Sequence, residues 1–176
     1  MAYLTPPVGP RDKMQGSPTA PVTLVEYGDY QCPACGAAYG IIKAVQNAVG
    51  ETLCFVFRNF PLTQVHPHAE HAAEIAEEAA NAGLFWPMHD ILFEHQNDLD
   101  DLSLVTYGEQ LGLERRGLLE ALAGSHAERI RTDFVSGVRS GVNGTPTLFV
   151  NGQRYDGLLD PESLLAALQQ EALFSR

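Results

Sequence analysis

The chain has 176 residues, 45% of them hydrophobic and 19% charged, the balance of a single soluble globular domain with room for a core. Its formal net charge of -11 excludes nucleic acid and anionic membrane surfaces as main partners, because both require clustered Lys and Arg. No run approaches the roughly 20 apolar residues of a membrane span, so no membrane insertion is expected. The amino terminus lacks a basic start followed by an apolar segment, so a cytoplasmic location is expected, or a periplasmic or extracellular one had a leader been removed.

Residues 1–21 hold five of the eleven prolines and read as an extended lead-in over the surface. Val22 to Tyr27 is β-branched and apolar, a buried strand ended by Gly28 and Asp29. From Pro33 the apolar positions recur every three or four residues, giving a helix that Gly50 stops. Leu53 to Phe57 is a second strand, so residues 22–65 form a βαβ unit with a right-handed crossover and a parallel pair.

An all-helical block follows over 66–124, read as an insertion. It comprises alanine-rich Pro67 to Ala82, Phe85 to His95, a helix capped by Ser103 and reaching Leu111, and Leu113 to Ala123. Phe85, Trp86, Met88 and Phe93 fit either the core of this block or the lining of an apolar groove. Residues 125–176 then supply a helix from Ser125 to Val138 and a hairpin around Asn151-Gly152. The last element is a helix from Ser163 to Leu173, capped by Asp160 with Pro161 at its first position.

Chemistry concentrates in the stretch Glu26-Tyr-Gly-Asp-Tyr-Gln-Cys32-Pro-Ala-Cys35. Cys32 falls just before a helix and Cys35 one turn inside it. Unpaired amides and the helix dipole favour an anion there and bring a thiol from about 8.5 down to roughly 3.5–7.5. Cys32 is then the nucleophile and Cys35, deeper, the resolving thiol. Glu26 lies in the strand feeding the turn, at a position expected to be buried, where desolvation raises its carboxyl and lets it pass a proton to or from Cys35. The alternative is a half-exposed strand glutamate.

A zinc site uses the same cysteine spacing, but it needs four ligands. Cys54 reads as a core thiol and His66-Pro67-His68 as a loop or helix start, so no metal is expected.

The order of these motifs, with Gly144-Thr145-Pro146-Thr147 heading a late strand, resembles the DsbA-like branch of the thioredoxin superfamily, including thioredoxin-like domains fused to sodium/proton antiporters. The likeness runs from about Val22 to Leu168. It implies an α/β thioredoxin fold with a helical insertion, and a cis Thr145–Pro146 bond facing the cysteines. It also implies that the Thr145 backbone, Pro146, Pro33 and Ala34 form the substrate platform, an extended peptide pairing there as a short strand.

The resemblance further implies a thiol–disulfide oxidoreductase acting on protein or small-thiol substrates, with glutathione as a further candidate. No organic cofactor is implied, and the chain is expected to be a monomer or weak dimer. Two departures bear on the chemistry. Gln31 stands where thioredoxin has tryptophan, and Ala34 where strong oxidants of the family carry histidine. With no such neighbour to stabilise the thiolate, an intermediate potential between about -270 and -120 mV is expected. The competing readings are a glutathione-binding isomerase or transferase of the same fold, and a non-enzymatic peptide-binding or regulatory module.

Overall fold

Val22–Gly28 (β2) and Leu53–Asn59 (β3) lie side by side in parallel, with Glu26 opposite Phe57. The computed structural model describes residues 2–174. Both strands are buried along almost their whole length, which is why they read as continuous apolar runs rather than alternating ones. The helix that joins them is α1 (Pro33–Val49). Thr147–Val150 (β4) pairs antiparallel with the other side of β2, and Gln153–Tyr155 (β5) closes a hairpin on it. The hairpin turn needs a left-handed residue pair, met by Asn151 at φ 47° and Gly152 at φ 81°.

The lead-in is more than a surface cover. Lys13–Gln15 (β1) adds an antiparallel strand to the free edge of β3, giving a five-stranded sheet in the order β1-β3-β2-β4-β5. Leu4 donates its amide to Gly152 O at 2.8 Å and is itself buried. The physical reason is the edge: unpaired strand amides and carbonyls on β3 need a partner. A buried guanidinium reinforces the arrangement. Arg58 of β3 is 2% exposed and donates to both Asp12 carboxylate oxygens, at 2.8 and 3.0 Å, and to the Pro6 and Pro7 carbonyls.

Side-chain alternation gives the sheet two faces. Leu24, Phe55, Phe57, Leu148 and Val150 share a core with Ile42 and Val45 of α1 and Leu164 and Leu168 of α7 (Pro161–Phe174). Val25, Tyr27, Val56 and Phe149 face the other way, towards Leu4, Phe60 and the flank of α6 (Ala127–Arg139). The cap expected for α7 is present, the Ser163 amide donating to Asp160 at 2.8 Å.

The block between β3 and α6 is helical throughout: α2 (Ala69–Asn81), α3 (Phe85–Glu94), α4 (Asp101–Gln110) and α5 (Arg115–Leu122). Helix α4 begins two residues before Ser103, because Asp100 is the cap and accepts from the Leu102 and Ser103 amides at 3.1 Å. The alanines of α2 are buried and let neighbouring helices approach closely. Its glutamates do not all face water. Glu74 accepts from the His126 amide at 2.8 Å, and Glu77 from Asn59 at 2.9 Å and Lys13 at 2.7 Å. Phe85, Met88 and Phe93 are buried in the same core as Phe57, each contributing roughly 1.5–3 kcal/mol. They are therefore packing residues rather than the lining of an open groove. Trp86 is half-buried and donates its indole N–H to Met14 O at 2.8 Å.

Candidate active site

Helix α1 starts immediately after Cys32, its N-cap residue, with Pro33 in the first turn where no amide partner is needed. Cys32 has extended backbone, φ -70° and ψ 121°, and no side-chain cap bond. Cys35, one turn in, is completely buried, and both residues are free thiols. Pro33 and Ala34 between them are exposed.

The two thiols differ sharply in acidity. Cys32 is lowered to about 5, first by the hydrogen bond that the Cys35 thiol donates to its sulfur; partial burial opposes this, and the Ala34 and Cys35 amides add to it. The Thr145 hydroxyl is buried without a well-formed hydrogen bond, yet its dipole also favours the Cys32 anion, by less than an aligned donor would. Cys35 is pushed far up, chiefly by burial and then by its bond to Cys32 and the nearby Glu26 charge; the Asp29 amide approaches its sulfur at 3.5 Å.

Glu26 is 1% exposed on the face of β2 that α1 covers, and its Oε1 has no hydrogen-bond partner. Burial raises its carboxyl to about 8, with the Cys32 charge as a second cause. It is a buried acid beside two thiols, and it faces Phe57 across the strand pair, not a cation.

Thr145 and Pro146 arrive from the other half of the chain, at the head of β4. Their peptide bond is cis, and the Thr145 carbonyl accepts from the Cys32 thiol at 3.4 Å. The structure thus brings Cys32, Cys35, Glu26, Thr145 and Pro146 to one end of the sheet. His66 and His68 are near this end without forming a metal site: among the described residues, no three His, Cys, Asp or Glu side chains converge as ligands. Cys54 is buried on the opposite face, remote from the pair.

Three residues shape the turn without a sequence signal of their own. Gln96, between α3 and α4, donates to the Tyr30 carbonyl at 2.7 Å and the Cys32 carbonyl at 3.0 Å, tying the helical block to the cysteine turn. The approach depends on Gly36, since a Cβ there would overlap the Gln96 amide. Asp29 and His66 meet beneath Cys32, as described below. A polar residue at a strand end and another in a loop look alike in sequence whether they are solvated or buried.

A thioredoxin-fold protein with a redox-capable cysteine pair at a helix amino terminus is the class that this fold and site define. Residues 9–170 match the family described as Thioredoxin, and the chain belongs to it. Its helical block is part of a fold shared with solved DsbA-like structures. It is similar to oxidised BdbD from Bacillus subtilis, with a TM-score of 0.83 and 25% identity over 92% of this chain and 93% of that one. It shares the fold of a thioredoxin-like oxidoreductase from Silicibacter pomeroyi (TM-score 0.81, 22% identity, 94% of each chain). The same holds for Wolbachia pipientis alpha-DsbA1 (TM-score 0.82, 17% identity, 96% of this chain and 94% of that one).

Among curated proteins it is 44% identical over 164 residues to the Na(+)/H(+) antiporter NhaA 1 of Salinispora arenicola, covering 92% of this chain and 25% of that protein. It is 41% identical over 170 residues to the Na(+)/H(+) antiporter NhaA 1 of a Mycobacterium species, covering 94% of this chain and 28% of that one. The chain thus spans about a quarter of the length of the curated relatives it matches. No helix among the described residues is long and apolar enough to cross a membrane.

Proposed function

We propose that the chain exchanges disulfides with protein thiols through Cys32 and Cys35. The observation that carries this reading is the split between the two sulfurs: one held near 5, the other buried, strongly raised and donating to the first. A structural pair has no need of such a difference, whereas stepwise exchange requires it.

The Cys32 thiolate attacks a partner disulfide. A Cys32–partner bond forms, the partner's sulfur–sulfur bond breaks, and one partner sulfur leaves as thiolate. Cys35 then gives its proton to Glu26 in its ionised form, a form that gains population as pH nears about 8 and once the mixed disulfide removes the Cys32 charge that raises it, and attacks the Cys32 sulfur. The Cys32–Cys35 disulfide forms and the second partner thiolate departs. Two electrons have moved from this chain to the partner; the reverse sequence oxidises a partner dithiol. The cysteines carry the redox equivalents, with no organic cofactor in any step. The Thr145 backbone, with Pro146, Pro33 and Ala34, forms the surface on which an extended peptide docks beside Cys32. The Ala34 side chain adds no charge or donor, which supports an intermediate potential.

Equilibration with glutathione redox buffers, quantified by alkylation, tests this reading. A single two-electron transition with loss of both thiols is expected. A pair that never oxidises reversibly, or a Cys32 inert to alkylation at neutral pH, would sink it. Glutathione binding without thiol exchange would favour the transferase alternative instead.

A second reading concerns the partner and is favoured by the antiporter relatives, whose matched stretch is only part of a transporter chain. The module would then serve a transporter, responding to redox state beside it. Replacing the matching cysteine pair in such a full-length relative should alter sodium/proton exchange under oxidising conditions; unchanged exchange in reconstituted vesicles would reject this reading.

A further inference from the structure

Asp29 follows the last residue of β2, and its side chain is fully buried. Each carboxylate oxygen takes two bonds. Oδ1 accepts from the amides of Gln31 at 2.8 Å and Cys32 at 3.2 Å. Oδ2 accepts from the amide of Leu62 at 2.8 Å and from His66 Nδ1 at 2.8 Å. Four donors offset the hydration that a buried carboxylate loses. They also come from two different loops, the β2–α1 turn that carries Cys32 and the β3–α2 loop that carries Leu62 and His66. The Cys32 amide is shared between this carboxylate and the Asp29 carbonyl, at 3.1 Å, so one residue holds the backbone of the nucleophile twice.

The position of the Cys32 sulfur depends on that backbone. Cys32 has no side-chain cap bond, so no amide of its own helix fixes the sulfur, and its place at the helix start depends on the shape of the turn. A carboxylate with free rotation about χ1 would hold the turn poorly. His66 and the Leu62 amide, bonded to the oxygen that faces away from the turn, remove that freedom.

We propose that Asp29 and His66 form a positioning pair for Cys32: His66 fixes the carboxylate, and the carboxylate fixes the turn that holds the sulfur at the start of the helix. The pair rests on the thiol-exchange reading above and adds two residues outside the cysteines to its machinery. Neither residue touches a reacting sulfur, so both act through the nucleophile's geometry.

The test is the pH dependence of Cys32 alkylation in the reduced chain, read for wild type, His66→Ala, His66→Asn and Asp29→Ala, with unfolding midpoints measured alongside. The His66 side chain is 19% exposed, and the unfolding midpoints report whether its removal leaves the fold intact. For His66→Ala the midpoint of the alkylation profile moves to higher pH. A shift of about one unit lowers the rate near pH 5.5 by about threefold. His66→Asn keeps a donor for Oδ2 and returns the profile to that of wild type. Asp29→Ala shifts it further than His66→Ala.

Stability losses in His66→Ala and Asp29→Ala with an unmoved alkylation profile would overturn the proposal, leaving these residues a structural role only. So would a profile that shifts equally in His66→Ala and His66→Asn. A wild-type profile with no acidic midpoint would overturn the exchange reading itself, an outcome distinct from either of these.

Discussion

Cys32 Sγ stands 3.4 Å from the carbonyl oxygen of Thr145, a residue 113 positions later in the chain. The contact joins the βαβ half, which carries Cys32, to the hairpin half, which carries Thr145 and Pro146. It exists because β4 pairs with β2 and carries Thr145 to the same sheet end as the α1 amino terminus.

The Cys35 thiol is the largest single cause of Cys32's acidity. Cys35→Ala should therefore raise Cys32 from about 5 towards its ordinary value, whereas Cys35→Ser, which keeps a donor, should hold it lower. Ultraviolet thiolate absorbance against pH checks this. Equal curves for the two variants would remove the donor bond from the explanation. Both variants should also accumulate mixed disulfides, for want of a resolving thiol.

The same shift links redox state to stability. Cys32 is depressed from 9.0 to about 5 on folding. Its thiolate thus contributes stability that is full above about 9, and that is lost as pH falls through about 5. Reduced wild type should gain on Cys32→Ser across that interval as pH rises, and denaturant midpoints at both ends measure the gain. A constant difference would contradict the linkage.

Glu26 has the opposite sign. Its carboxyl is raised on folding from 4.5 to about 8, chiefly by burial. Between those values the native state holds one proton more than the unfolded chain, so Glu26 costs stability as pH rises. The slope is at most about 1.4 kcal/mol per pH unit. Below 4.5 both states are protonated and the contribution vanishes. Reduced Glu26→Gln should therefore gain on wild type between pH 5 and pH 8, by up to a few kcal/mol. The gain should be smaller in the oxidised protein, where Cys32 carries no charge. Unfolding curves at the two pH values, in both redox states, decide it. Glu26→Gln should also slow release of a trapped mixed disulfide, since Cys35 loses its proton acceptor.

Asp12→Ala should be among the most damaging substitutions away from the Cys32–Cys35 pair. It leaves the 2%-exposed Arg58 without its carboxylate and unfastens the amino-terminal segment from β3. Breaking one partner of a buried pair costs about 3–5 kcal/mol. Thermal unfolding measures the loss; a change under about 1 kcal/mol would place the pair in the surface class.

Gln96→Ala removes both donors from the Tyr30 and Cys32 carbonyls. Two hydrogen bonds at about 0.5–1.5 kcal/mol each predict a loss of roughly 1–3 kcal/mol in urea unfolding. An unchanged midpoint would mean that water replaces the amide without penalty.

Much of the architecture was legible because periodicity records burial. The runs at Val22 and Leu53, the three-and-four spacing after Pro33, and the Asn151-Gly152 turn each carry their structure locally, and the observed elements follow them within a few residues. The edge strand Lys13–Gln15 did not announce itself, because three residues among prolines have no period; β3's free edge makes it a strand. Ser103 was a plausible cap, and Asp100 took the role because its carboxylate reaches two amides and the Ser103 hydroxyl. The helical spacing of α3's apolar residues favoured a core over a groove, and the packing against Phe57 and Tyr30 places them in the core.

The sequence by itself determined that Cys32 and Cys35 lie at a helix start, because proline, spacing and the preceding strand are local facts that need no other part of the chain. Only the tertiary structure decided that the two thiols differ so widely, that Glu26 is sealed in beside them, and that Thr145, Gln96, Asp29 and His66 converge on the turn. Acidity and position in a protein interior depend on what long-range packing excludes and supplies, water on one side and donors on the other, and neither is written within a few residues of the group concerned.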